Sequence, residues 1–213
     1  MKQYHKIQTV YLRNPEDNYK SLLYNQSAKP EFEYLQNITW VFTEKIDGTN
    51  IRIMWDGKNV IFGGKTDNAQ IPAFLFQKLQ ELFLGTENIM KFREKFGEEG
   101  NVCLYSEGFG AKIQKGGGNY IKDGVNVALF DVKIGDIWLE RENVEEIAEY
   151  FNIPFTPVIG KGSLREMVEI TRKGFNSQWG DFIAEGIVAR PIIELKNRMG
   201  DRIITKIKHK DFV

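Results

Sequence analysis

Apolar and polar residues alternate in a series of short segments along this chain, and only a few stretches carry helical spacing. Ile38–Glu44, with β-branched and aromatic residues, predicts a strand. Asn50–Trp55 and Val60–Phe62 flank Asp56-Gly57-Lys58-Asn59, which predicts a β-hairpin. Pro72–Leu84 places Phe76, Leu79 and Phe83 at helical spacing, and Phe74, Leu75 and Leu82 widen the stripe. That predicts a helix with Pro72 near its first turn and these aromatics in a core. Ile89–Phe96 predicts a second short helix, Val102–Glu107 a strand, and Asn126–Ile134 with Ile137–Glu140 a hairpin around Gly135. Glu142–Phe151 predicts a helix with an acidic outer face. Ser163-Leu-Arg-Glu166 reads as a capping box opening a helix to about Lys173. Ile183–Arg190 and Arg202–Lys208 predict strands joined by the polar linker Pro191–Gly200; Tyr4–Lys20, with a turn at Asn14-Pro15, carries no periodicity that places it. Many antiparallel strands with a few helices outside make the class α+β.

The chemistry concentrates at Thr43–Arg52, Thr-Glu-Lys-Ile-Asp-Gly-Thr-Asn-Ile-Arg, where one strand ends, Asp47-Gly48 turns, and a second strand begins. A lysine there, Lys45, can bring its amine close to a ligand beside a glycine turn. Three later stretches are candidates for the same pocket: Leu104–Gly110, Glu185–Arg190 and Thr205–Lys210. Lys112-Ile-Gln-Lys-Gly-Gly-Gly-Asn-Tyr120 carries three glycines with lysines before them. It lacks the Gly-Lys-Ser/Thr of a P-loop, and reads either as a loop that contacts phosphate or covers substrate, or as a plain flexible connection.

Composition narrows this picture at a few points. The 213 residues, 42% hydrophobic and 27% charged, fit a globular protein with ample core. The 29 basic and 29 acidic residues cancel, which argues against a surface that is all nucleic-acid footprint and leaves room for a local basic groove. Near the end, Lys196, Arg198, Arg202, Lys206, Lys208 and Lys210 face only Glu194, Asp201 and Asp211; by itself that run reads as a solvated strand pair. The single cysteine, Cys103, excludes an intrachain disulfide, sits between Val102 and Leu104 as a buried strand residue would, and fits a reducing, intracellular compartment. Met1–Val10 has no apolar leader, and no apolar run is long enough to span a bilayer.

As a nucleophile, Lys45 must first lose a proton, since a free lysine amine has a pKa of about 10.4. Lys206 and Lys208, two apart on a strand, point to one face; if that face lines the pocket, their charges favour a neutral Lys45 and also bind an anionic phosphate. Glu107 and Glu185 offer carboxylates for a ribose hydroxyl or a divalent cation, and Phe130 offers an aromatic face for a base.

Lys45-Ile-Asp-Gly48 resembles motif I of the covalent nucleotidyltransferase superfamily of ATP-dependent polynucleotide ligases and mRNA capping enzymes. Ser106-Glu107-Gly108 is similar to motif III, Leu129-Phe130-Asp131-Val132 to motif IIIa, Glu185-Gly-Ile-Val188 to motif IV, and Lys206-Ile-Lys208 to motif V. The order matches, over most of the chain. Glu44-Lys-Ile-Asp-Gly-Thr-Asn50 most resembles phage-type RNA ligases that seal nicks in duplex RNA; DNA ligases and capping enzymes usually carry arginine where this chain has Asn50.

The resemblance implies an adenylation domain of the ATP-grasp-like ligase type over residues 1–213, with antiparallel sheets flanked by helices and no C-terminal accessory domain in this chain. It implies ATP as AMP donor and Mg²⁺ or Mn²⁺ as cofactor. Lys45 would form lysyl-AMP, Asn50 would support catalysis near ribose and phosphate, Glu107 would hold the ribose, and Phe130 would stack on adenine. Lys206 and Lys208 would grip the α-phosphate, Glu185 would place a metal, and backbone groups at Glu44 and Ile46 would read the adenine edge. Lys65 stands where the family usually has a phosphate-contacting arginine, keeping the charge without the bidentate geometry. The implied partner is RNA with 5′-phosphate and 3′-hydroxyl ends in a nicked duplex, no membrane, and an accessory protein or domain for RNA grip. The implied setting is cytoplasmic, a phage-infected cell included. DNA sealing and GMP transfer are alternatives that Asn50 disfavours. A non-catalytic nucleotide- or RNA-end-binding module is a third, disfavoured by the presence of Lys45, Glu185, Lys206 and Lys208 together.

Overall fold

In a computed structural model the described residues are 3–213; Met1 and Lys2, the start of the segment searched above for a leader, lie outside them. The strands are β1 (Gln8–Thr9), β2 (Tyr11–Arg13), β3 (Leu22–Ser27), β4 (Trp40–Lys45), β5 (Thr49–Trp55), β6 (Val60–Gly63), β7 (Val102–Gly110), β8 (Val125–Ile134), β9 (Ile137–Trp138), β10 (Val158–Gly162), β11 (Gly186–Pro191) and β12 (Thr205–Lys208). The helices are α1 (Pro30–Tyr34), α2 (Ala73–Phe83), α3 (Thr86–Phe96), α4 (Gly117–Tyr120), α5 (Arg141–Tyr150) and α6 (Leu164–Lys173). The mixed α+β class is as expected from the pattern. No helix among the described residues is long and apolar enough to cross a membrane.

The chain divides into two compact units. One holds residues 3–4 and Asp47–Thr156, the other His5–Ile46 and Pro157–Val213. The first contains the antiparallel sheet β6-β5-β7-β8-β9. Ile51, Ile53 and Trp55 alternate along β5 and share one core with Leu104 of β7 and Val127, Leu129 and Val132 of β8. Leu75, Leu79 and Phe83 of α2, Phe92 of α3, and Val144 and Ile147 of α5 cover that face. Each such side chain contributes about 1.5–3 kcal/mol by leaving water. The α2 stripe is narrower than its sequence suggests. Phe74 and Phe76 are exposed rather than core, because only the i, i+4, i+8 row of Leu75, Leu79 and Phe83 meets the sheet. Cys103 is buried, as expected, and burial pushes its thiol up to about 11, so it is no thiolate at neutral pH.

The second unit contains the sheet β1-β12-β11-β4-β10 and the small pair β2-β3. Trp40 and Phe42 of β4, Ile187 and Ala189 of β11 and Ile207 of β12 face α6 through Leu164, Met167 and Val168. The predicted capping box starts α6: Ser163 Oγ accepts from Glu166 N, and Glu166 accepts from Ser163 N at 2.7 Å. The basic run near the end is not uniformly solvated. Arg202 is buried against Glu194 at 2.6 Å, and Lys208 is bound as described below.

Candidate active site

In the second unit the register aligns three residues side by side across neighbouring strands: Lys45 on β4, Gly186 on β11 and Lys208 on β12. Residues opposite one another in a sheet point to the same face, so the two lysines flank a position with no side chain. Glu185, just before that glycine, reaches both. Its Oε2 lies 2.6 Å from Lys45 Nζ and its Oε1 lies 2.6 Å from Lys208 Nζ. Lys45 Nζ also donates to Ile46 O at 3.3 Å. To the lysine charges that the sequence suggested for this face, the structure adds the Glu185 carboxylate. This carboxylate lies between the two amine groups.

The glycine is a steric requirement of this arrangement. A Cβ on Gly186 would lie 2.1 Å from Ile207 O and 2.8 Å from Lys208 Cα, both backbone atoms of the paired strand. Lys206 takes the same face as Lys208, as predicted, with Ile207 between them in the core. The end of β12 is fastened locally: Lys208 N donates to Asp211 Oδ2 at 3.1 Å, Asp211 pairs with Arg13 at 2.8 Å, and His209 N donates to Glu185 O at 2.9 Å.

Glu44 and Ile46 bracket the lysine. Ile46 is buried. Glu44 N donates to Pro157 O at 3.0 Å, while its carboxylate turns inward, accepting from Ser177 Oγ at 2.5 Å and Gln178 N at 2.8 Å. Only 1% of Glu44 is exposed, and burial raises its carboxyl above the usual carboxylate range against those two hydrogen bonds. A raised folded-state value means that protons stabilise the fold. The contribution is complete below about pH 4 and is lost as pH rises through the folded-state value. The melting temperature of Glu44→Gln, which has no such titration, is therefore expected to rise relative to the natural protein between about pH 4 and pH 7. A difference that is flat or falls over that range would contradict the burial argument.

In the first unit Asn50 and Glu107 pair directly across β5 and β7. A Cβ on Gly48 would lie 2.3 Å from Gly108 O and 2.8 Å from Glu107 Cγ, so only glycine lets the turn close against Glu107. Asn50 Oδ1 is buried without a hydrogen-bond partner, an arrangement that costs about 1–3 kcal/mol and is kept where a ligand completes it. Phe130 is the residue on β8 without an opposite number, at the irregularity where Leu129 pairs Ser106 and Asp131 pairs Tyr105. Its ring meets Tyr4 edge-on at 5.2 Å. Lys65 is exposed on the segment after β6, close in sequence to Asp67, which Arg52 holds at 2.7 Å.

Thus Glu44, Lys45, Ile46, Glu185, Lys206 and Lys208 gather in one unit, and Asn50, Lys65, Glu107 and Phe130 belong to the other. Sequence reasoning missed Tyr120 and Gln114. Tyr120 Oη accepts from Asp47 N at 3.0 Å, and Gln114 Nε2 donates to Gly48 O at 3.1 Å. It also missed Asp211, whose spacing three residues beyond Lys208 is the one signal that was available.

Structures of variants of the Naegleria gruberi RNA ligase share the fold. One with ATP and Mn is 13% identical over 98% of this chain and 56% of that chain, with a TM-score of 0.68. One with AMP and Mn is 14% identical over 98% and 56%, with a TM-score of 0.67. The same ligase with PPi is 15% identical, with a TM-score of 0.66. The chain spans little more than half the length of these ligases, 56% in each of these three structures. No curated protein matches it. A model of the RNA ligase family, however, matches residues 38–208, from the strand that carries Lys45 to the lysine that shares its carboxylate, and the chain belongs to that family.

Proposed function

We propose that this chain is the adenylation domain of an ATP-dependent RNA ligase that works through a lysyl-AMP intermediate. The observation that carries the reading is the row Lys45–Gly186–Lys208 with Glu185 bound to both amines. Lys45, as neutral amine, attacks the α-phosphate of ATP; an N–P bond forms, the bond to pyrophosphate breaks, and pyrophosphate leaves with the electron pair. AMP then passes to a 5′-phosphate of RNA, giving a 5′–5′ diphosphate and freeing Lys45. A 3′-hydroxyl attacks that activated phosphate, and AMP departs.

Glu185 pairs with Lys45 in the resting protein. Attack needs the neutral amine, and the Lys208 ammonium on the same face works in that direction. Lys206 and Lys208 then lie on one face to meet the α-phosphate. Asn50, with its unsatisfied oxygen, and Glu107 opposite it take ribose hydroxyls and the nearby phosphate. Phe130 stacks on the base, the backbone at Glu44 and Ile46 meets the adenine edge, and Lys65 meets a phosphate.

The ATP and Mn of the neighbouring ligases support the same nucleotide and a divalent cation here. Among the described residues no three His, Cys, Asp or Glu side chains gather as a cation cage, and both oxygens of Glu185 are engaged by lysines. Were a divalent cation to come with the nucleotide, Glu185 would be the residue to hold it. When bound, the cation neutralises phosphate charge.

The test has two readouts. Intact-mass spectrometry after incubation with ATP, and separately GTP, with Mg²⁺ or Mn²⁺ is expected to show an AMP-sized gain with ATP only. Nicked RNA duplex with 5′-phosphate and 3′-hydroxyl ends is then expected to be joined in preference to nicked DNA. No gain, on protein shown not to be adenylylated already, overturns the covalent mechanism; a gain with every RNA left unjoined overturns the sealing step.

A further inference from the structure

A groove of about 600 Å³ in the first unit has so far been given no task. One wall is α2, through Phe74, Lys78 and Glu81; the other is the β7–β8 connection, through Lys112, Lys122 and Asp123. Lys112 and Lys122 are exposed and make no ion pair among the described residues, and neither does the exposed Lys115 between them in sequence. Lys78 is paired with Glu81 at 3.4 Å. In a chain whose charges cancel overall, three lysines against one carboxylate, Asp123, give this short connection a local cationic excess.

Two further observations point to a ligand. Phe74 is 40% exposed on the groove wall, an aromatic face in a groove with three lysines and two carboxylates. Lys112 has a φ of 66°, a left-handed conformation that asparagine or glycine adopts more readily and that costs about 1–3 kcal/mol for other residues. The same connection holds the Asp47-Gly48 turn through Tyr120 and Gln114, so the segment that carries the lysines also supports the turn two residues beyond Lys45.

We propose that this groove binds single-stranded RNA, with phosphates on Lys112 and Lys122 and a base on Phe74. Unpaired cations beside an exposed aromatic suit a strand that offers phosphates and unstacked bases together. The groove, at about 600 Å³, is of small-ligand size. An acidic protein would use the lysines and leave Phe74 without a role. The choice of RNA as partner rests on the ligase reading, and it adds that the substrate presents an unpaired segment to this surface.

The test is equilibrium binding of a short fluorescent single-stranded RNA without a 5′-phosphate, measured over a salt series on the full chain. The variants are Lys112→Asn with Lys122→Gln, and separately Phe74→Ala. Asparagine tolerates the left-handed backbone, so the first variant removes charge without strain. Losing two phosphate contacts is expected to flatten the log–log salt slope by about 1.4 and weaken binding roughly twentyfold at about 0.1 M salt. Phe74→Ala is expected to weaken binding roughly tenfold or more with the slope unchanged, because stacking is not salt-linked. Natural-protein affinity and slope in both variants would overturn the proposal. So would a blunt RNA duplex whose binding the same two variants weaken as much as they weaken the single strand, or displacement of the RNA by polyglutamate at equal charge, which would mark a surface for acidic protein. Adenylylation by ATP, followed by mass in parallel, separates the two claims: its absence in the natural protein defeats the ligase reading, whereas the salt series judges the groove.

Discussion

Lys45→Ala is expected to abolish covalent AMP incorporation, with no mass gain after ATP and a divalent cation, while the fold persists. The loss is chemical, because no other amine takes the place of Lys45 at the end of β4. The structural cost is small for a definite reason. Lys45, Glu185 and Lys208 have side-chain exposures of 18%, 11% and 22%, so none is sealed from water, and Glu185 keeps Lys208 at 2.6 Å when Lys45 is truncated. Removing one amine from such a partly exposed trio is expected to change stability by about 1 kcal/mol or less. Lys45→Arg sharpens the test. Arginine keeps the pairing with Glu185, yet its guanidinium is not deprotonated in proteins, so it too is expected to stay unmodified. An AMP-sized gain persisting in either variant would place the nucleophile elsewhere.

Gly186→Ala is expected to produce the largest loss of stability at the site. The added Cβ meets backbone, not a yielding side chain: Ile207 O at 2.1 Å and Lys208 Cα at 2.8 Å. Relief requires β11 and β12 to part where Glu185, Lys208 and His209 are fastened. Overpacking of this kind is expected to cost roughly 3 kcal/mol or more and to lower the melting temperature by roughly 10 °C. Adenylylation is expected to fall with it, since the spacing between Lys45 and Lys208 depends on that strand pair. Gly118→Ala serves as the control. Nothing lies within 4 Å of its added Cβ, so a change within about 0.5 kcal/mol is expected. Calorimetry on the two variants checks the contrast; equal melting temperatures would show that the strands absorb the methyl group without cost.

The local devices were legible because their physics is local. Asp56 Oδ1 accepts from Lys58 N at 2.8 Å and Asn59 N at 2.6 Å, so the Asp-Gly-Lys-Asn signal is a turn closed by its own side chain. The Ser163–Glu166 box closes within four residues for the same reason. Lys206 and Lys208 share a face because strand geometry has a period of two. The α2 pattern over-read its own width because periodicity states which residues share a stripe and not how much of that stripe a sheet will cover; Phe74 and Phe76 stayed outside.

By itself, then, the sequence determined the strands around Lys45 and Lys208, helices α2, α3, α5 and α6, and the α+β class, within the stretch that the RNA ligase family match spans. The tertiary structure alone decided what those residues face. Gln8 pairs with Thr205, a strand of two residues that no periodicity announces, because its partner is almost the whole chain away. Glu185 binds both Lys45 and Lys208 because β11 runs between β4 and β12, a strand order that sequence spacing does not encode. Glu44 turns away to Ser177 and Gln178, and Tyr120 and Gln114 reach the Asp47-Gly48 turn, through contacts set by packing over long separations. Local propensity follows from neighbours along the chain, whereas the charge state and partners of a side chain follow from neighbours in space, which only the folded chain brings together.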